Sequence, residues 1–338
     1  GVARAAGSGH GSSMKLKRRQ LGAWSAATGF AALAPARAQA FPARPLHLIV
    51  PFTPGGTTDI LAREIAAKLQ VAFGQSCIVE NRPGGGGTLG CEMVARADPD
   101  GLTMLMGHIG TLAINPLVYP HHGYDPVKGW TPLAYVANVP NVLAVNASVP
   151  AQSVQELVAL AKSKPGALAY GTGGTASASH LASAYFAFAT GTEFLHVPYK
   201  GTAPFVSDLL AGQLQMGFTG APVVMPLAKQ GRLRALAVSS ARRSEAFPEL
   251  PTIAESGVPG FEADQWYGIT GPAGIDPVIA STLNAEINKA LASADVKARL
   301  EKEGGAAVIA PPEALGSHIA AEIDRWRPVV KAANIRLE

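Results

Sequence analysis

Two stretches of this 338-residue chain combine glycine with hydroxyl side chains in a spacing suited to holding an anion. They are Thr53-Pro54-Gly55-Gly56-Thr57-Thr58 and Gly171-Thr172-Gly173-Gly174-Thr175-Ala176-Ser177. Each follows a short apolar run, Leu48-Ile49-Val50 or Leu168-Ala169-Tyr170, and precedes a helical pattern. A glycine-rich turn between strand and helix lets a ligand approach the backbone closely. It also offers N–H groups, hydroxyls and the positive end of a helix dipole. A single loop of this kind reads better as a strand end with Thr57 or Asp59 capping a helix. Two in matching positions favour a carboxylate held from either end without an arginine clamp.

Other chemistry finds less support. Gly171-x-Gly173-x-x-Ala176 has the dinucleotide spacing, but Glu193 precedes the next strand where the ribose-binding acid should follow it. Gly84 to Gly90 leads into Cys91 rather than Lys and Ser/Thr, so it is no P-loop. There is no Gly-x-Ser-x-Gly elbow, and the eight histidines show no metal-ligand spacing. His180 and His196 read as scaffold, and His121-His122 and Arg242-Arg243 as solvated surface. No nucleophile and base pair up, so neither a catalytic residue nor a cofactor or metal is expected. Among the scarce aromatics, Tyr199 and Trp266 could wall a pocket, whereas Tyr267 is better read as packing beside a hinge.

The elements that must position these loops alternate as in α/β proteins. Strands are expected at 46–50, 77–80, 102–106, 167–170, 194–197, 215–218 and 233–238. A helix from Thr57 or Thr58 puts Ile60, Leu61, Ile65 and Leu69 on one face. A second runs to about Ala97, one is boxed by Ser153 and Glu156 and stopped at Lys164-Pro165-Gly166, and one spans 180–190. The last part is helical over 278–303 and 312–330. Extended segments near 135–145 and 261–269 read as two crossings between blocks. They define one domain of 41–140 plus 263–338 and another of 141–262, with a cleft at the strand ends.

The formal charge of +4 would keep nucleic acid or an anionic membrane among possible partners. Six of the 28 Lys and Arg residues, and none of the 24 Asp and Glu, fall in residues 1–40, so 41–338 carries −2. Residues 1–13 read as an upstream extension. From Met14, a cationic start, an Ala-rich apolar middle and Ala38-Gln39-Ala40 have the layout of an export signal cleaved after Ala40, by the general or, given Arg18-Arg19, the twin-arginine route. The expected location is the periplasm, with no nucleic-acid partner and no membrane insertion. Cys77 and Cys91 are expected as buried thiols, since their places on a strand and the following helix set them too far apart to bond.

Several segments together resemble the Bug/TctC family, the extracytoplasmic solute receptors of tripartite tricarboxylate transporters. They are Ile49-Val50-Pro51-Phe52 through Asp59, Val79-Glu80-Asn81-Arg82-Pro83-Gly84, Leu112-Ala113-Ile114-Asn115-Pro116, His196-Val197-Pro198-Tyr199-Lys200-Gly201, Leu233 to Val238 and Pro251-Thr252-Ile253-Ala254-Glu255. The resemblance spans essentially all of 41–338. It implies a monomeric two-lobed periplasmic-binding-protein fold of the type II-like Venus flytrap kind, each lobe a mostly parallel sheet flanked by helices. It further implies capture of an organic carboxylate and delivery to a permease of one large and one small membrane subunit. A sensor of the same ligands and a periplasmic enzyme are the alternatives. The implied ligand-binding residues are Phe52, Thr53, Gly55, Gly56, Thr57, Thr58, Thr111, Gly173, Gly174, Thr175, Ser177, Tyr199, Thr202 and Thr219, with Trp266 as a wall. Where many relatives carry Asp, this chain has Thr219, so a dicarboxylate or aromatic carboxylate without an amino group is expected.

Overall fold

The computed structural model describes residues 41–199 and 202–336. The export signal expected within residues 14–40 therefore lies outside the described residues, as does Lys200-Gly201 of the turn after Tyr199. The first sheet begins with β1 (Leu46–Val50), whose apolar residues are almost wholly buried. It leads through the first glycine loop into α1 (Thr57–Phe73), which turns Leu61, Ile65 and Leu69 to the core and ends at left-handed Gly74. Then come β2 (Cys77–Asn81), α2 (Thr88–Ala95) and β3 (Thr103–His108), a π-helical turn over Gly110–Ile114, α3 (Asn115–Val118) and β4 (Trp130–Val139).

Pro140 alone separates β4 from β5 (Asn141–Asn146), which opens the second sheet. There follow α4 (Val154–Ser163), β6 (Ala169–Thr172), α5 (Ala178–Thr190), β7 (Leu195–Pro198), α6 (Thr202–Leu210), β8 (Met216–Gly220), α7 (Ala221–Lys229) and β9 (Leu233–Val238). The chain then returns through 239–264 to β10 (Gln265–Pro272) in the first sheet. It closes with α8 (Pro277–Leu291), α9 (Ala294–Lys302), β11 (Ala306–Ala307) and α10 (Pro312–Ala332).

The sheet orders are β11-β4-β10-β3-β1-β2 and β7-β6-β8-β5-β9. In the first, β1, β2, β3 and β4 run one way, with β10 and β11 reversed. In the second, β5 alone is reversed. The strands are thus mostly co-directional, and the reversed β5 and β10 are the two that receive the chain from the opposite sheet. The two lobes are built around these crossings.

Two helical details depart from the sequence reading. The helix expected over 278–303 is broken at Ser293, whose hydroxyl bonds back to the Ala290 carbonyl at 2.5 Å and so competes with the helix ladder. The π-helical turn after β3 has no periodicity to announce it. The closing helix α10 ends two residues beyond its expected limit and reaches both sheets: Leu315 packs against β10 at Gly268, while Trp326 lies edge-on to Tyr185 of α5. It therefore straps both lobes. Cys77 and Cys91 are both free and buried, and burial pushes each thiol up to about 12.

Candidate functional site

Strand register fixes which loops face the crossings. Gln265 at the start of β10 lies opposite Val139 at the end of β4, and Tyr267 lies opposite His108 at the end of β3. In the second sheet, Asn141 at the start of β5 lies opposite Gly220 at the end of β8, and neighbouring Val142 opposite Val238 at the end of β9. The carboxyl ends of β1, β2, β3, β6, β7 and β8 consequently all point toward the crossing side. That is where ligands of open α/β sheets sit.

The first loop is braced from below. The Asp59 carboxylate, 3% exposed, accepts the Gly55 N–H (2.9 Å), the Asn81 side-chain amide (2.9 Å) and Arg63 in a bidentate pair (3.0 and 3.1 Å). Burial alone would raise this carboxyl, but these hydrogen bonds outweigh it and hold it below the usual carboxylate range. Asn81 also donates to the Phe52 carbonyl at 3.0 Å. The parallel register places it there, opposite Val50. The Phe52 ring stacks on the His108 imidazole at 4.5 Å. Burial lowers His108 to about 4, so it is neutral at physiological pH.

Above this brace, Thr53, Gly55 and Gly56 are exposed, Phe52 and Thr57 half-buried, and Thr58 buried. Gly56 caps α1 with no side-chain hydrogen bond, so the first-turn N–H groups stay open to a ligand. The same holds for α7, capped by Gly220, apart from Pro222, which has no N–H; at α2, capped by Gly87, the Thr88 and Leu89 N–H groups already bond the Gly85 and Gly84 carbonyls. Helices α4 and α8, which begin at the opposite ends of their sheets, are closed by Ser153 and Asp276. The loop 84–87, unlike any P-loop by sequence, belongs to this face. A Cβ on Gly87 would sit 2.6 Å from the Thr111 methyl and 3.4 Å from the Phe52 ring. Its four glycines all have positive φ, and that run of four was the signal available in the sequence.

The second loop differs from the first. Its Gly173 N–H goes to Ser179 Oγ (2.9 Å), its Ala176 N–H to His180 Nδ1 (3.0 Å) and its Ser177 N–H to the Gly174 carbonyl (3.2 Å). Ser177 also caps α5 by accepting the His180 N–H. Unpaired amides in both loops were expected, but here most are consumed internally, leaving exposed Thr175 as the tip. His180 stacks on His196 at 4.0 Å, and burial with help from His196 lowers it to about 3. A cavity of about 670 Å³ opens beside α5, with Thr175 the one expected site residue on its wall.

The remaining expected residues divide. Thr202 is exposed at the start of α6, and Thr219 is buried at the end of β8. Tyr199 is half-buried, but its hydroxyl is committed to Asp208 at 2.6 Å. Thr111 is 0% exposed; its hydroxyl bonds the His108 carbonyl and its own carbonyl takes the Tyr124 hydroxyl, so it supports the loops from beneath. Trp266 is not brought to the loops at all. It is 1% exposed, lies edge-on to His318, and donates its indole N–H to Glu322 of α10 at 2.9 Å. Among the described residues, no group of three or more His, Cys, Asp and Glu could hold a metal ion, and no helix is long and apolar enough to cross a membrane.

Comparison with known proteins places this geometry in context. A family profile described as tripartite tricarboxylate transporter family receptor (TctC) matches residues 61–335. Protein BugT of Bordetella pertussis is 38% identical over 319 residues, 94% of this chain and 97% of that protein. Among solved structures, Rpa4515 of R. palustris, determined with adipate, superposes with a TM-score of 0.75 at 40% identity, covering 88% of this chain and 99% of that one. MatC from Rhodopseudomonas palustris, determined with bound malate, gives 0.71 at 32% identity, with coverage of 86% and 100%.

Proposed function

Because the chain belongs to the tripartite tricarboxylate transporter receptor family, we propose that it is a periplasmic receptor that captures a small organic carboxylate between its lobes and hands it to a membrane permease. The observation that carries this reading is the pair of glycine-capped helix starts without a side-chain cap, at Gly56 and Gly220, one in each sheet's set of loops and both on the crossing side. Oriented N–H groups at helix N-termini favour an anion without any cationic side chain. Related structures with adipate and malate support the same ligand chemistry.

The lobes of this reading are 41–140 plus 263–338 and 141–262. One ligand carboxylate rests on Gly55 to Thr58, with Phe52 and Thr53 beside it. The far end of the ligand meets Gly173, Gly174, Thr175, Ser177, Tyr199, Thr202 and Thr219. Thr219 cannot pair with an ammonium as an Asp would, so the ligand lacks an amino group, as dicarboxylates and aromatic carboxylates do. A thermal-shift screen tests this. At a hundred times its dissociation constant, a ligand adds about 2.7 kcal/mol of stability. Adipate or malate should raise the melting temperature, and aspartate and glutamate should not. A larger shift with the amino acids would sink the assignment of ligand class. Recovery of the bound acid unchanged after long incubation separates a receptor from an enzyme.

A further inference from the structure

The C-terminal end of α9 touches three parts of the molecule at once. Glu303, 9% exposed, is the C-cap residue of α9. Its Oε2 accepts the Thr57 hydroxyl at 3.0 Å, and its Oε1 pairs with Arg299 at 3.0 Å. Thr57 is the first residue of α1, inside the first ligand loop. The next residue, Gly304, is left-handed (φ 72°), and its carbonyl accepts the Ser244 hydroxyl at 2.9 Å. Ser244 lies beyond β9, in the segment whose Phe247 and Leu250 pack into the core of the second lobe. Gly305 presses on the crossing itself, where a Cβ would stand 2.6 Å from the Asn138 carbonyl at the end of β4. The cap bonds Gly304 N–H to Glu301 O and Gly305 N–H to Leu300 O, both 2.9 Å, fix all three contacts in one rigid turn.

The geometry points to Glu303 as a positioning residue that couples the first ligand loop to the second lobe through Gly304 and Ser244. The coupling rests on the receptor reading for its purpose and deepens it. A ligand seated on Gly55 to Thr58 orders Thr57, Thr57 holds Glu303, and the rigid cap carries that order to Ser244 across the crossing. Occupancy of one lobe thereby favours the arrangement in which the other is docked. Contacts along a chain do not by themselves transmit energy, so the coupling calls for direct measurement.

A double-mutant cycle on the full chain supplies it. Thr57→Val and Ser244→Ala alter residues that do not touch each other, so independent effects on adipate or malate affinity would multiply. Coupling predicts that Ser244→Ala alone weakens binding about fivefold or more, and that the double variant binds no more weakly than Thr57→Val alone. Glu303→Gln, which keeps an acceptor for Thr57, should retain more affinity than Glu303→Ala. Ser240→Ala, whose hydroxyl bonds only within its own turn to Arg242, serves as the control. Multiplying effects, or an affinity of Ser244→Ala within about twofold of the unchanged protein, overturn the inference.

If neither acid binds the unchanged protein, the receptor reading is what fails, and amide hydrogen exchange decides the coupling without ligand. Thr57→Val should then speed exchange over residues 242–248, and unchanged rates there overturn it.

Discussion

A side chain added at Gly56 would meet nothing within 4 Å, and its φ of −81° suits any residue. Gly56→Trp should therefore fold with unchanged stability yet abolish the ligand-induced thermal shift, because the indole would occupy the space above the open N–H groups. His121→Ala, in an exposed loop, should leave the shift intact. Gly55 would be a poorer test, since its φ of 97° strains any side chain. Beneath the loop, Asn81→Ala removes donors from both Phe52 and Asp59. It should cost about 1–3 kcal/mol in urea denaturation and weaken ligand binding as well. Glycine and threonine after an apolar run made the upper layer of the site legible in the sequence. Asn81, 22 positions from the Asp59 it supports, was not, because only the β1–β2 register brings them together. Trp266 misled for the opposite reason: a rare aromatic near a crossing fits a pocket wall or a buried strut equally well, and a sequence does not show where its N–H goes.

The strands at 46–50 and 233–238 were legible to the residue, since both are short, largely apolar runs bounded by Pro45 and Pro51 or by Arg232 and Ser239. Elsewhere strand ends shift by one to two residues, and the consecutive β4 and β5 read as one extended segment because Pro140 is the only break between them. The crossing segments carry a buried polar network that the pattern could not reveal. Asn141 N–H donates to Ser239 Oγ (2.8 Å), and Ser239 Oγ donates to Asp264 (2.7 Å). The Asn141 side chain donates to the Ala263 carbonyl (2.9 Å). Burial pushes the Asp264 carboxyl up to about 7, with Glu262 and Glu322 adding to the shift and Ser239 and Arg325 opposing it. The folded chain thus holds a proton between about pH 4 and 7 that the unfolded chain releases. Asp264 therefore makes stability fall as pH rises through that window. Asp264→Asn keeps an acceptor for Ser239 and does not ionise. Melting curves should show it gaining stability relative to the parent protein from pH 5 to 8. A constant difference across that range would contradict the assignment.

The two lobes are not independent bodies on a bare hinge. One apolar cluster runs from Ile49 and Leu105 of the first sheet through Trp266, Phe261 and Trp326 to Phe186 and Phe218 of the second. At its centre a single Glu322 oxygen accepts two indole N–H groups, from Trp266 at 2.9 Å and Trp326 at 3.1 Å, while Arg325 pairs with the other oxygen at 2.7 Å. Residues 41–338 contain one further tryptophan, Trp130. This arrangement gives the protein an optical gauge of its own. Any rotation of the lobes about the crossings changes the field that Glu322 and Arg325 exert on two of the three tryptophans of residues 41–338. Titration with a binding carboxylate should accordingly shift the tryptophan emission maximum in step with occupancy, with no label attached. Trp266→Phe should remove most of that signal while leaving the affinity, measured by calorimetry, nearly unchanged.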